Sequence, residues 1–293
     1  MVTCLSALTG LKSFGLGFRS PQPRVARGTQ HPPPLTRIAL AALTKFGFNG
    51  NSEYLEDIVS LIDTPLLDYF RITFFNQLIF DTPLLRHFII RTETIKAHYG
   101  GNLSFSDRCA EVRFSPQEGM AVQEGLSLEI SCTPLDWQVS CLAQVCSSSL
   151  PPLSTLENLE ILSCRSHWQD DIESTQWLEL LYPFMSVKNL ALSDELVPLV
   201  APALQELAGE SVTEVLPMLQ NLLFNGPEPS GPAEKAIQQF IDTRQCSGRT
   251  VARFPKQDSM TSRAMSQTHS VSSMLSRSSS MTAPMSTMSS WIS

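Results

Sequence analysis

The chain has 293 residues, with 21 lysines and arginines against 28 aspartates and glutamates, and a formal net charge of −7. Apolar residues make up 42% of it, which is enough to form a sizeable buried core. No stretch reaches the roughly 18 uninterrupted apolar residues of a membrane span. The acidic balance also argues against a general nucleic-acid binder, which needs a basic face.

The charge pattern divides the chain into three parts. Residues 1–34 carry four basic residues and no acid, residues 35–243 carry 11 basic and 27 acidic residues, and residues 244–293 carry six basic residues and one acid. From Ser259 onward, 14 of 35 residues are serine and six are methionine, which leaves almost nothing to bury. We therefore predict a disordered basic leader over 1–34, one domain over 35–247, and a disordered Ser/Met-rich tail over 248–293.

The leader allows a second interpretation. Its basic, acid-free composition with leucines and phenylalanines is also typical of a mitochondrial transit peptide. Three glycines between residues 10 and 17 and the prolines that follow interrupt any amphipathic helix, which favours the disordered leader. The seven cysteines form no C-x-x-C pair and fit reduced thiols, so we expect a cytoplasmic or nuclear protein.

The predicted domain contains a repeated motif of the form apolar-x-Asn-Leu-x-apolar. Three copies begin at Leu156, Val187 and Leu219, which are 31 and 32 residues apart. Short alternating runs of this kind predict half-buried strands. Runs in the same phase occur earlier at 43–48, 67–72 and 85–90, with weaker members at 112–114 and 128–130.

Helices are predicted between the later strands. Apolar residues at 3–4 spacing indicate helices around 139–146, 177–184 and 199–207, and Pro232 opens a helix over 233–244 that closes the domain. Strands of one phase joined by helices form parallel sheets. The L-x-x-L-x-L pattern predicts an α/β fold, an irregular leucine-rich-repeat-like solenoid of parallel strands with crossover helices. An ordinary α/β sandwich is the alternative.

A solenoid of this kind presents one row of side chains per strand on its concave face. Positions three, five and seven of the motif point outward there, and such faces commonly bind proteins. A solvated surface without a partner is the alternative interpretation. The predicted partner-binding residues are Lys45, Tyr69, Arg71, His87, Arg91, Arg113, Glu129, Asn158, Glu160 and Asn189, with Glu111, Asn221 and Asn225 at equivalent positions.

The sequence shows no catalytic signature. It contains no phosphate-binding loop, zinc-protease motif or nucleophile elbow. The densest polar cluster, His167 with Asp170 and Asp171, fits an acidic helix start better than a cation site or a general base. We expect no enzymatic activity, no cofactor and no metal site.

Several segments resemble a known family. The runs 43–68, 72–85, 167–173 and 201–210, with Asp-Thr-Pro-Leu-Leu at both Asp63 and Asp81, resemble segments of basidiomycete F-box-like proteins. The resemblance covers about residues 35–247. It implies a substrate-recognition region of a ubiquitin ligase, whose F-box binds a Skp-type adaptor.

Residues 1–34 do not match an F-box, so the resemblance implies an adaptor only through an F-box outside this chain. The expected partner is a protein substrate, with neither nucleic acid nor membrane. A stand-alone repeat scaffold, or a truncated paralogue without a ligase link, remains the alternative. The protein substrate and the oligomeric state do not follow from the residues.

Overall fold

The computed structural model describes residues 7–8, 10–18, 37–75, 79–96, 98–115, 125–151, 153–164, 172–207 and 215–255. The strands are, in chain order, β1 (Ser13–Gly17), β2 (Ile38–Ala39), β3 (Lys45–Gly50), β4 (Ile62–Asp63), β5 (Tyr69–Phe75), β6 (Gly100–Phe105), β7 (Cys109–Ser115), β8 (Gly125–Ser131), β9 (Asn158–Ser163), β10 (Asn189–Ser193), β11 (Asn221–Asn225) and β12 (Ala252–Pro255). Ten of them form one sheet, and β2 pairs only with β4.

Helices connect most of these strands. They are α1 (Ser52–Leu61), α2 (Pro83–Arg91), α3 (Glu93–Lys96), α4 (Leu135–Gln144), which continues into a π-helical turn (Val145–Ser149), α5 (Ser174–Leu181), α6 (Val197–Glu206) and α7 (Pro232–Cys246). The four helices predicted after residue 130 are confirmed as α4 to α7. None of the described helices is long and apolar enough to cross a membrane.

The strand order in the sheet is β1-β3-β5-β8-β7-β6-β9-β10-β11-β12. Every pair is parallel except β6–β7 and β7–β8, so the predicted α/β class with a mostly parallel sheet is confirmed. The expectation that 112–114 belongs to another parallel strand is wrong. A tight turn at Ser106, whose amide donates to the Cys109 carbonyl, reverses the chain before β7, and a short turn can join only antiparallel strands.

The core lies on one face of the sheet. Side chains alternate along each strand, and Phe46, Phe70 and Phe114 belong to the same buried cluster as the apolar sides of the helices. Because β1, β3 and β5 pair in register, Phe14 stacks on Phe46 at 5.4 Å and Phe46 on Phe70 at 5.0 Å between ring centroids. Pairs of this kind contribute about 1 kcal/mol each beyond area burial.

The segment 85–90, predicted as a strand, is helix α2. Its buried residues Leu85, Phe88 and Ile89 fit the 3–4 spacing of a helix as well as they fit the repeat motif. Pro83 fixes the first turn, and the Glu56 carboxylate accepts the backbone N–H groups of Leu84 and Leu85 at 2.9 and 2.6 Å. Capping at the start of the segment therefore selects the helix.

This correction moves His87 and Arg91 off the sheet. His87 lies exposed on α2, and Arg91 lies at its last residue. The Arg91 guanidinium donates to the carbonyls of Val59 and Ile62 at 2.6 and 2.7 Å, at the end of α1. Arg91 therefore satisfies carbonyls at the end of α1 and does not belong to the rows of side chains on the sheet.

The described sheet extends beyond the predicted domain at both ends. β1 lies within the segment predicted as a disordered leader, and its residues pair with β3 from Ser13↔Lys45 to Gly17↔Asn49. β12 lies beyond residue 247 and pairs with β11, so the helix α7 is followed by a further strand of the sheet and is not the last element of the domain. Alternation in Phe14-Gly-Leu16-Gly-Phe18 is the signal for β1. Most of the leader and the tail from residue 256 lie outside the described residues.

A buried histidine makes the stability of this fold depend on pH. His98 is 3% exposed and stacks on Phe114 at 4.6 Å between ring centroids. Burial lowers its pKa from 6.5 to about 4. The unfolded chain therefore binds a proton between these pH values that the folded chain excludes, and stability falls as the pH falls through this window.

We expect this residue alone to remove about 3 kcal/mol of unfolding free energy between pH 7 and pH 4. Urea unfolding of His98→Phe, which keeps the aromatic stack, should show a pH dependence weaker by that amount. The exposed His87→Gln serves as the control and should follow the wild type. Equal pH dependence in wild type and His98→Phe would contradict the assignment.

Candidate functional site

The candidate site is the face of the ten-stranded sheet opposite the core, here called the polar face. The strands place there Lys45 on β3, Tyr69 and Arg71 on β5, Glu111 and Arg113 on β7, Glu129 on β8, Asn158 and Glu160 on β9, Asn189 on β10, and Asn221 and Asn225 on β11. Eleven of the thirteen residues named from the sequence therefore share this face. His87 and Arg91 do not.

A central row of polar side chains crosses five neighbouring strands. The register aligns Arg71 with Ser127, Ser127 with Arg113, Arg113 with Asn102, and Asn102 with Glu160. Neighbouring members are about one strand spacing apart, near 4.8 Å. Residues far apart in the chain thus form one continuous polar strip.

Two arginines of this row pair with glutamates of the adjacent row. Arg71 Nη2 lies 3.0 Å from Glu129 Oε2, and the Arg113 guanidinium binds Glu111 with two hydrogen bonds of 2.5 and 2.6 Å. Ser127 Oγ donates to Glu111 Oε1 at 2.7 Å. Glu111 is only 8% exposed, so this bidentate pair is the most protected charge pair on the face.

These pairs determine the electrostatic character of the polar face. Burial disfavours the charged form of Arg71, yet the hydrogen bond and negative charge of Glu129 raise its pKa overall. Lys45 is exposed, and among the described residues it forms no ion pair. The polar face near β3, β5 and β7 is therefore largely charge-balanced.

Asparagine side chains form a ladder across the later strands. Asn221 Nδ2 donates to Asn189 Oδ1 at 2.6 Å, and Asn189 Nδ2 donates to Asn158 Oδ1 at 2.6 Å. The ladder exists because β9, β10 and β11 pair in the register Asn158↔Asn189↔Asn221. Each repeated asparagine of the motif thus bonds to the equivalent asparagine of a neighbouring repeat, and Asn189 bonds on both sides.

Glu160, a member of the central row, binds side chains on both sides of its strand. Its carboxylate accepts Asn225 Nδ2 at 2.9 Å and Asn102 Nδ2 at 3.4 Å. Asn225 reaches across β10 because Ala191 and Ser193 there are small. The side chains of the polar face therefore bind one another in small groups, each of which spans two or more strands.

Sequence reasoning missed Asn102 and Ser127. β6 was not predicted, although Leu103-Ser-Phe105 alternates as a strand does, and Ser127 occupies an outward position of the run 126–130. The cluster of His167, Asp170 and Asp171 lies outside the described residues. Among the described residues, no three His, Cys, Asp or Glu side chains form a group that could hold a metal ion.

Comparison with known proteins identifies no relative. No protein-family model, curated protein or solved structure matches the chain. The F-box-like resemblance therefore stays a prediction from sequence, and the functional argument depends on the polar face itself.

The asparagine ladder predicts unequal losses of stability along its length. Asn189→Ala removes two ladder hydrogen bonds, whereas Asn221→Ala removes one. We expect unfolding free energies lower by about 2 and about 1 kcal/mol respectively, measured in urea. Lys45→Ala, on the same face without a described ion pair, is the control and should change little. If Asn189→Ala and Asn221→Ala lower the unfolding free energy no more than Lys45→Ala does, the ladder does not contribute to stability.

Proposed function

We propose that the chain is a protein-binding module that uses the polar face. One observation carries the proposal: the helices pack on the apolar face, while the opposite face of a ten-stranded sheet presents neighbouring rows of arginine, glutamate, asparagine and tyrosine side chains. Arg71 remains 51% exposed on that face. Arginine and tyrosine are frequent among the residues that dominate protein–protein binding.

We also propose that the domain is an irregular leucine-rich-repeat-like solenoid. In-register parallel strands with repeated Asn and Leu positions support it, as does the single layer of helices packed on the core face. The antiparallel β7 and the displaced order β8-β7-β6 are departures from a regular repeat. The irregularity falls at the centre of the sheet, where the strongest ion pairs lie.

By resemblance, we further propose that the bound protein is a substrate of a ubiquitin ligase of the F-box type. The charge-balanced polar face favours a partner that matches individual side chains over one attracted by net charge. The alternative, a stand-alone scaffold, uses the same face but does not lead to turnover of the partner. Binding and turnover must therefore be tested separately.

Binding is tested by comparing two faces of the same protein. A photo-crosslinking amino acid at Thr73, half-exposed on β5, should capture a defined protein from the native cells, and excess unlabelled wild type should compete it away. The same amino acid at Lys235, exposed on α7, is the control and should not capture it. Identical products from both positions would contradict the assignment of the face.

The captured protein then allows a quantitative test. Tyr69→Ala combined with Arg71→Ala should weaken its binding by about tenfold or more, because a tyrosine and an exposed arginine are lost together. Tyr182→Ala with Arg86→Ala is the matched control on the helix layer. Unchanged affinity in a folded Tyr69/Arg71 double variant would overturn the proposal.

The ligase role predicts a further effect on that protein. Depletion of this chain should lengthen the lifetime of the captured protein and reduce its ubiquitin conjugates. A Skp-type adaptor and a cullin should co-purify with this chain and the captured protein. Binding without any change in lifetime, and without adaptor, would favour the scaffold and contradict the ligase role.

A further inference from the structure

A groove of about 530 Å³ lies on the helix layer, between α4 and α5. Trp137 and Tyr182 line it and are 48% and 51% exposed, so the groove opens to solvent. Ser147 and Cys141 also contribute to its lining. This volume is within the range that admits small molecules.

Cys141 is one of a pair of thiols. It lies on α4, and its sulfur shares a side-chain hydrogen bond with the thiol of Cys132, which follows β8 directly. Both cysteines are buried thiols, and neither is part of a disulfide. Of the two, only Cys141 lines the groove, so a reagent that enters the groove meets Cys141 first.

The turn between β8 and α4 holds the two thiols in place. Gln138 Nε2 donates to the carbonyl of Cys132 at 2.8 Å and to that of Ser106 at 2.8 Å. Gln138 is itself fully buried, so these bonds are protected from water. The backbone at Cys132 is therefore fixed relative to the helix that carries Cys141.

The hydrogen bond between the two thiols also shifts their pKa values in opposite directions. The bond from Cys132 lowers the pKa of Cys141, and the same bond together with burial raises the pKa of Cys132. Cys146, one turn further along, has its pKa raised to about 12 by burial. Cys141 is the member of this group that lines the groove, and the thiolate is the reactive form of cysteine, so Cys141 is assigned as the nucleophile.

We propose that Cys141 reacts with hydrogen peroxide that enters the groove, and that Cys141 and Cys132 then form a disulfide. The Cys141 thiolate attacks hydrogen peroxide, so that an S–O bond forms, the O–O bond breaks, and the leaving hydroxide takes a proton to become water. Cys132 then attacks the sulfenic sulfur, the S–S bond forms, and the displaced hydroxide leaves as water with the thiol proton. Two thiols are oxidised by two electrons, and one peroxide is reduced to two waters.

The fold disfavours a bridge between Cys109 and Cys164. Cys109 begins β7 and Cys164 directly follows β9, and β6 lies between these strands. Two strand spacings are about 10 Å, which exceeds the roughly 7 Å limit between the Cα atoms of a disulfide. A Cys109–Cys164 bridge is therefore not expected to compete with the Cys132–Cys141 bridge.

The test treats the purified full chain with stoichiometric hydrogen peroxide. The remaining thiols are blocked with N-ethylmaleimide, and the non-reduced digest is read by mass spectrometry. We expect a Cys132–Cys141 linked product that has lost two hydrogen atoms and disappears on reduction. Folded protein with both thiols still alkylated after treatment would overturn the proposal.

Variants separate chemistry from structure. Cys141→Ser should abolish the bridge, Cys132→Ser should leave Cys141 as sulfenic or sulfinic acid, and the control Cys146→Ser should bridge as the wild type does.

If Cys141→Ser fails to fold, access to the groove is tested instead. Ser147→Trp, which fills the groove, should slow formation of the bridge several-fold. Its neighbour Ser148→Trp, outside the groove lining, should not. Equal rates for both tryptophan variants would overturn entry through the groove.

Discussion

The organisation of this protein depends on parallel strands that pair in register. Because equivalent residues of neighbouring strands lie side by side, a residue type repeated along the chain becomes a ladder across the sheet. Phe14, Phe46 and Phe70 form such a ladder on the core face. Asn189 and its equivalents on β9 and β11 form another on the polar face. One constraint thus builds both the core and the candidate site.

The centre of the sheet departs from this pattern and concentrates charge. The hairpin of β6 and β7 is inserted between β8 and β9, so β7 runs against its neighbours. This places Glu111 next to Ser127 of β8, which donates to it, while Arg113 of β7 binds both oxygens of the Glu111 carboxylate. The Glu111 side chain is only 10% exposed and accepts three hydrogen bonds, so it holds a fixed centre of the polar face between the exposed arginine of β5 and the amides of the later strands.

The two faces also differ in the chemistry that they offer. The polar face presents paired charges and amides, which suit recognition of a protein surface by shape and hydrogen bonding. The helix layer instead carries a groove with exposed aromatic side chains and a thiol in its lining. Because the sheet and its core lie between them, events at the groove and at the polar face involve different residues and can be tested independently.

The sequence by itself determined the α/β class, the later helices, and most members of the polar face, because alternation and 3–4 spacing are local properties. It could not separate strand from helix at Leu85–Phe88–Ile89, where both periods fit and the cap from Glu56 decides. The hydrogen bond from Ser127 to Glu111, and the placement of Arg91 against the end of α1, were decided only by the tertiary structure. Strand order and long-range capping join residues far apart in the chain, and no local pattern encodes which distant partner each side chain will meet.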